Sequence, residues 1–195
     1  MSESKEHLSP VWTHLTDIVV EQAHGAYVYD RDGTAYLDFT SGIGVTNTGH
    51  CHPQVVRAIY EQADSVLHAQ ANIYYHPPLL QLAEELRTVL PEPLDSYFFS
   101  NSGAEAVEAS IKLARQATGR PNIIVFQGSF HGRTIGTMSL TTSKTVYRTR
   151  YQPLMAGVFV APYPYSYSYG WDDAQTSAFC LREVERLLLM QTAPD

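Results

Sequence analysis

Two short apolar runs, Ile123-Ile124-Val125-Phe126 and Gly157-Val158-Phe159-Val160-Ala161, constrain the fold of this chain more than any other feature. A strand with one wet face alternates apolar and polar residues, whereas an uninterrupted apolar run needs cover on both faces. Helices packed on either side of a parallel sheet provide that cover, and the flanking residues have the spacing helices need. Ala106, Val107, Ile111 and Ala114 fall on one side of residues 103–118. Gly119 suits a left-handed cap there, and Pro121 keeps the helix from resuming. Leu181, Val184, Leu187 and Leu188 form the stripe of a later helix, capped by Asp172 or Asp173. Ser96-Tyr97-Phe98-Phe99-Ser100 is a third apolar run, and residues 128–140 read as a turn and a helix. The expectation is an α/β protein with strands at residues 97–100, 123–126 and 158–161 in a mainly parallel sheet.

The first half of the chain is organised differently. Residues 1–10 read as a mobile tail, as termini often are. Tyr27-Val28-Tyr29 and Tyr36-Leu37-Asp38-Phe39 flank Asp30-Arg31-Asp32-Gly33, which predicts a hairpin around the Asp-Gly pair. A glycine-rich connection through Ser41-Gly42-Ile43-Gly44 and Gly49-His50-Cys51-His52 leads to Pro53. Pro53 suits the first turn of a helix whose Val55, Val56, Ile59, Ala63, Val66 and Leu67 share a face. Pro77-Pro78 opens a second helix with Leu79, Leu82, Ala83, Leu86 and Leu90, closed by Pro91 and Pro93.

Composition excludes several function classes. The 195 residues carry 13 Lys+Arg against 20 Asp+Glu, a net charge of −7, so no basic stripe is available to neutralise nucleic-acid phosphates. The apolar runs fall far short of the roughly 20 residues of a membrane span. The start, Met1-Ser2-Glu3-Ser4-Lys5-Glu6, is polar and unlike a signal peptide. Cys51 and Cys180 form no disulfide framework, which points to a cytoplasmic protein. His50-Cys51-His52 alternates potential metal ligands, but a zinc site needs about three or four and no second cluster follows. That segment reads more simply as a turn into a helix, and no metal is expected. The tyrosines from 163 to 169 have no lysine or arginine among them and read as a packed loop rather than a base-stacking surface.

Two segments carry the chemistry. In Ser100-Asn101-Ser102-Gly103-Ala104-Glu105-Ala106, a small-residue turn opens a helix. First-turn amides have no helical partner and sit at the positive end of the dipole, so such a turn binds phosphate. Ser102-Gly103-Ala104-Glu105 equally fits an ordinary S-x-x-E capping box, and spacing alone leaves both open. In Gly128-Ser129-Phe130-His131-Gly132-Arg133-Thr134, an aromatic ring and a guanidinium follow a parallel strand, where open α/β sheets place ligands. Phe130 could stack on a planar heterocycle and Arg133 could hold a carboxylate. Core burial for Phe130 and a surface ion pair for Arg133 are the plain alternatives.

Asn101-Ser102-Gly103-Ala104-Glu105-Ala106-Val107-Glu108, followed by Ile111-Lys112-Leu113-Ala114-Arg115, closely resembles the phosphate-loop helix of class III aminotransferases. These are the pyridoxal-phosphate enzymes that include 4-aminobutyrate, acetylornithine and ornithine transaminases. Tyr29-Asp30-Arg31-Asp32-Gly33 with Tyr36-Leu37-Asp38-Phe39 looks like the family's N-terminal hairpin, and Phe130-His131-Gly132-Arg133-Thr134 like its cofactor-stacking turn. The order and spacing match from about residue 11 to 195.

The resemblance implies a fold-type I pyridoxal-phosphate-dependent transferase. Residues 11–52 would be its N-terminal segment with the hairpin, and residues 53–195 the first part of its large cofactor-binding domain. Ser102, Gly103 and Ala104 would hold the phosphate of pyridoxal 5'-phosphate, and Phe130 would stack on its ring with His131 close by. Arg133 would pair with a distal substrate carboxylate, Ile43 would line the substrate pocket and Tyr75 would help shape it. The implied reaction moves an amino group from an amino acid or ω-amino acid to a 2-oxo acid, in a homodimer when complete. In the family, the lysine and the carboxylate that the chemistry needs come after the position where this chain stops. None of the three lysines, Lys5, Lys112 and Lys144, matches that lysine. The chain is therefore expected to be the N-terminal part of an aminotransferase, inactive alone and with no catalytic residue of its own. The alternative is a non-catalytic phosphate-binding or regulatory module derived from one.

Overall fold

In a computed structural model of the protein, residues 6–193 are described. Of the expected tail, residues 1–5 lie outside the described residues, while residues 6–12 form turns. The chain divides into two units, Met1–Leu86 and Arg87–Asp195.

The first unit holds a three-stranded antiparallel sheet of β1 (Val20–His24), β2 (Tyr27–Asp30) and β3 (Ala35–Leu37), in that order. β2 and β3 form the predicted hairpin, with Tyr27 opposite Leu37 and Tyr29 opposite Ala35. Asp30 organises its turn: Oδ1 accepts the amides of Asp32 (3.0 Å) and Thr34 (2.9 Å), and Oδ2 accepts the Tyr36 hydroxyl (2.9 Å). Two helices follow, α1 (Pro53–Ser65) and α2 (Pro77–Val89), both opening on proline as the spacing predicts. Neither buries a residue fully, so their apolar faces are at most half-buried.

Asp38 ties the connection after the hairpin to the sheet. Its carboxylate accepts the Thr40 hydroxyl (2.6 Å), His50 Nε2 (2.8 Å), and the amides of Thr40 (2.7 Å) and Ser41 (3.3 Å). These donors, the Thr40 hydroxyl first and His50 second, hold its carboxyl well below the usual carboxylate range. His50 is fixed from both sides, because its amide and carbonyl also exchange bonds with Gly25 at 2.8 and 3.0 Å.

The second unit is α/β. Its elements run α3 (Gly103–Thr118), β4 (Ile123–Phe126), α4 (Ile135–Leu140), β5 (Val158–Ala161) and α5 (Asp173–Met190). β4 and β5 are parallel, pairing Ile123 with Val158 through to Phe126 with Ala161. Both predicted caps form. Gly119 closes α3 at φ 71°, in the left-handed region that suits glycine, and the Asp172 carboxylate accepts the Gln175 amide at 2.7 Å to open α5. A small core of Ile111, Val125 and Leu140 joins α3, β4 and α4, with Val107, Ile123, Met155 and Val158 packed around it.

The expected third strand does not form. Residues 97–100 carry no strand, and Phe98 is 76% exposed. An apolar run supplies the side chains of a buried strand, but a strand exists only through its ladder, and no described segment pairs with this one. The accessible surface is 15740 Å², against about 11,000 Å² for two separately compact domains of half this length. Exposed apolar side chains, among them Ile59, Leu82 and Phe98, contribute to the excess. No helix among the described residues is long and apolar enough to cross a membrane.

Two outcomes test this architecture. Asp38 is held below its unfolded value, so its stabilisation is complete above about pH 4 and fades as the pH falls further. Asp38→Asn should therefore speed amide exchange at Gly25 and His50 at neutral pH and flatten the acid dependence of that exchange. In the second unit, Leu140→Ala should lower unfolding stability by about 2–5 kcal/mol in urea titration, as expected for an emptied core position.

Candidate functional site

The turn that opens α3 acts as a cap and still offers donors. Ser102 is the N-cap, and its Oγ accepts the Glu105 amide at 3.2 Å. The Glu105 carboxylate reaches back to the Asn101 amide at 2.6 Å, one residue earlier than the cap itself. The amides of Ser102, Gly103 and Ala104 consequently meet no acceptor among the described residues. A Cβ built on Gly103 would meet nothing within 4 Å, so the space beside this residue is open. The capping alternative is realised, and it leaves these three amides unused.

The second segment leaves the C-terminal end of β4 and is tied down by hydroxyls. Thr142 Oγ1 donates to the Phe126 carbonyl (2.7 Å) and accepts the Ser129 amide (3.1 Å). Ser129 Oγ donates to the Leu140 carbonyl (3.0 Å). Thr141 Oγ1 accepts the His131 amide at 3.0 Å and lies 3.2 Å from the Gly132 carbonyl. Thr137 and Thr141 are wholly buried, at 0% exposure. The turn is thereby clamped onto α4 while its side chains remain available. Phe130 is 51% exposed and meets Tyr147 edge-on, with ring centroids 5.2 Å apart. Arg133 is exposed and has no ion-pair or hydrogen-bond partner among the described residues. Neither plain alternative, a core Phe130 or an ion-paired Arg133, is realised.

Gly132 brings the two turns together. Its φ is 136°, and an added Cβ would lie 2.6 Å from Thr137 Oγ1 and 2.8 Å from the Ala104 Cβ. Any other residue here would push the stacking turn off the start of α3. Ser102, Gly103 and Ala104 are thus brought beside the Phe130–Arg133 turn. The donor set fits a planar aromatic phosphate: free amides for the anion, an exposed ring for the heterocycle, a free guanidinium for a carboxylate. A groove of about 750 Å³ follows β4, lined by Val107, Ile111, Val125 and Leu140, and reaches Ser129 and His131 of the 128–134 turn. Its apolar walls suit more packed chain rather than an anion.

Ile43 and Tyr75 lie in the first unit. Ile43 adopts φ 63° and ψ 44° with its side chain 96% exposed. A β-branched residue rarely adopts the left-handed region, and such strain concentrates at functional positions. Tyr75 is exposed two residues before α2. Sequence reading passed over Glu108, Thr134, Thr137, Thr141, Thr142 and Tyr147, all of which hold the site in shape. The one local signal was the Thr134–Thr137 spacing at the start of α4, which suits a helix cap.

Comparison with known proteins places this arrangement in a family. The profile described as Aminotransferase class-III matches residues 8–195. The chain is similar to an acetylornithine aminotransferase of Archaeoglobus fulgidus, 40% identical over 163 residues, covering 84% of this chain and 42% of that protein. It is 36% identical to a probable 4-aminobutyrate aminotransferase of Bacillus subtilis over 177 residues, covering 89% of this chain and 41% of that one. Among solved structures, it resembles the taurine:2-oxoglutarate aminotransferase from Bifidobacterium kashiwanohense in complex with PLP and glutamate. There the TM-score is 0.84 at 32% identity, covering 94% of this chain and 43% of that chain. The chain thus spans about two fifths of the length of these relatives. The fold is that of the fold-type I transaminases, and with the match running over nearly its whole length, this chain belongs to the class-III aminotransferases.

Proposed function

We propose that the protein carrying this chain moves an amino group from an amino acid or ω-amino acid to a 2-oxo acid, using pyridoxal 5'-phosphate. One observation carries this reading: three uncommitted amides at the start of α3 lie against a turn that presents an exposed ring and a free guanidinium. Pyridoxal 5'-phosphate, when bound, supplies an electron sink for the pair released at the substrate α-carbon. Ser102, Gly103 and Ala104 hold its phosphate through their amides, with the Ser102 hydroxyl as a further donor. Phe130 packs on the ring, and His131 lies next to it in the same turn. Arg133 takes the substrate's distal carboxylate, and by the family likeness Ile43 and Tyr75 of the first unit also contribute to substrate binding. Lys112 has no catalytic part in this reading. It lies nine residues beyond Gly103 on α3, about 13 Å along the helix axis at 1.5 Å per residue. The family likeness also supports a homodimer working in the cytoplasm.

Gly103→Pro isolates the phosphate contact from helix stability. Gly103 is the first residue of α3, where proline is well accommodated because that amide has no helical partner. Ser102, at φ −156° and ψ 159°, already has the backbone that precedes a proline. The variant should unfold within about 0.5 kcal/mol of the original. Its affinity for pyridoxal 5'-phosphate, read by absorbance titration, should fall about 10- to 100-fold, the worth of one hydrogen bond to a charged group. Unchanged affinity would place the phosphate elsewhere.

Arg133→Ala should act on substrates rather than on the cofactor. Loss of the guanidinium should lower kcat/KM about 10- to 100-fold for a donor with a distal carboxylate, the worth of a hydrogen bond to a charged group. Transfer from a donor lacking that carboxylate should be nearly unaffected. An equal loss with both donors, compared as kcat/KM, would make Arg133 a structural residue.

A further inference from the structure

Glu108 has no cation partner among the described residues, yet its carboxylate is not left to water. It lies four residues beyond Ala104 on α3, so the two share one helix face. At one end of that face Ala104 touches the Gly132 turn; at the other the Glu108 carboxylate reaches the start of α4. Oε1 accepts the Thr134 hydroxyl and the Thr137 amide, the latter at 3.2 Å. Gly136 is the residue beneath it: an added Cβ there would stand 2.5 and 2.6 Å from the two carboxylate oxygens.

The contact continues into the stacking turn. The Thr134 amide donates to Thr137 Oγ1 at 3.1 Å. Thr141, one turn further along, takes the His131 amide, while its hydroxyl lies between the carbonyls of Thr137 and Gly132 at 3.0 and 3.2 Å. Every bond that orients residues 129–132 therefore starts from α4 or its immediate C-terminal residues, and Glu108 fixes where α4 begins relative to α3. The phosphate turn belongs to α3 and the stacking turn to α4. A carboxylate that couples these helices sets the spacing between the two halves of the cofactor cradle.

We propose that Glu108 is a positioning residue for the pyridoxal 5'-phosphate site, matching the distance between the Ser102–Ala104 amides and Phe130 to the length of the bound molecule. This rests on the cofactor assignment above. A merely structural tie between α3 and α4 would affect stability alone, whereas a positioning role also changes the ring's surroundings once the cofactor is bound. Gln at 108 keeps one carbonyl acceptor of the same reach, so it should preserve most of the geometry that Ala removes.

The test uses the protein at its natural full length, with pyridoxal 5'-phosphate as the probe. Affinity, the induced circular dichroism of the bound chromophore, and the unfolding midpoint without cofactor are measured together. Glu108→Ala should weaken binding about tenfold and change the induced signal, and Glu108→Gln should restore both toward the original. Gly136→Ala pushes a methyl into the carboxylate and should act in the same direction by itself. Once Glu108 is replaced by Ala there is nothing for that methyl to displace, so the double variant should bind no worse than Glu108→Ala. Additive losses in this cycle, or a lower midpoint with affinity and dichroism unchanged, would reduce Glu108 to a structural tie. If Glu108→Ala does not fold, Gly136→Ala and Glu108→Gln still decide between these outcomes. Failure of the unsubstituted protein to bind the probe would overturn the cofactor assignment itself. Weakening by Gly103→Pro with no effect of the Glu108 and Gly136 variants would overturn the positioning role alone.

Discussion

The missing Cβ at position 132 is the constraint on which the site depends. Two turns from different parts of the chain, one opening α3 and one leaving β4, meet where Ala104 lies against Gly132. An added carbon would sit inside the contact radius of both Ala104 and Thr137, and L side chains rarely adopt a φ of 136°. Neither obstacle has a cheap remedy, because Thr137 is wholly buried and committed to Thr134. Parallel pairing of β4 with β5 and the small core around Ile111 bring the helices near each other. The final approach of the 128–134 turn to the start of α3 depends on this glycine.

The hydroxyls beneath the turn answer a different physical demand. A tight turn has backbone amides and carbonyls that no ladder satisfies, and leaving them buried without partners is costly. Thr141 and Thr142 accept the His131 and Ser129 amides, and the Ser129 and Thr142 hydroxyls donate to the carbonyls of Leu140 and Phe126. Valine in place of threonine would fill the same volume and leave the turn's amides orphaned. Thr141, which meets the His131 amide, is accordingly wholly buried although it is polar.

Sequence legibility followed the range of the interaction involved. Local rules located α3 from Gly103 to Thr118 with its cap at either end, the β2–β3 hairpin, and the proline openings of α1 and α2. They gave the parallel pair β4 and β5, because an unbroken apolar run implies two covered faces. They failed at residues 97–100, where the composition was right but pairing is a property of a neighbour and not of the segment. Phe130 and Arg133 were legible as candidates through their place after a strand, although choosing between ligand and packing needed their surroundings. Of the contacts made by Glu108 and the threonines, only the Thr134–Thr137 helix cap left a local signal. Periodicity records which face is apolar and says nothing about which hydroxyl will meet which amide. The left-handed backbone of Ile43 was hidden for a related reason, since its β-branch argues against that conformation and tertiary structure overrides it.

What separates the site from its scaffold is the distribution of unmet hydrogen-bonding capacity. Within the stacking turn, the amides of Ser129 and His131 and the carbonyl of Gly132 are all met by hydroxyls. A few ångströms away, three successive amides, a guanidinium and half of an aromatic ring are left open by the same elements. If those groups were simply at a poorly organised surface, the backbone beside them would be equally slack. Instead α3 is capped by Ser102 with Glu105 diverted onto Asn101, which secures the helix end without using the amides of Ser102, Gly103 and Ala104. Donors held rigid by neighbours that do not consume them need no reorganisation to receive an anion, and the positive end of α3 favours its charge. The same elements thus meet part of the backbone of the 128–134 turn and leave three successive amides at the start of α3 open to an anion.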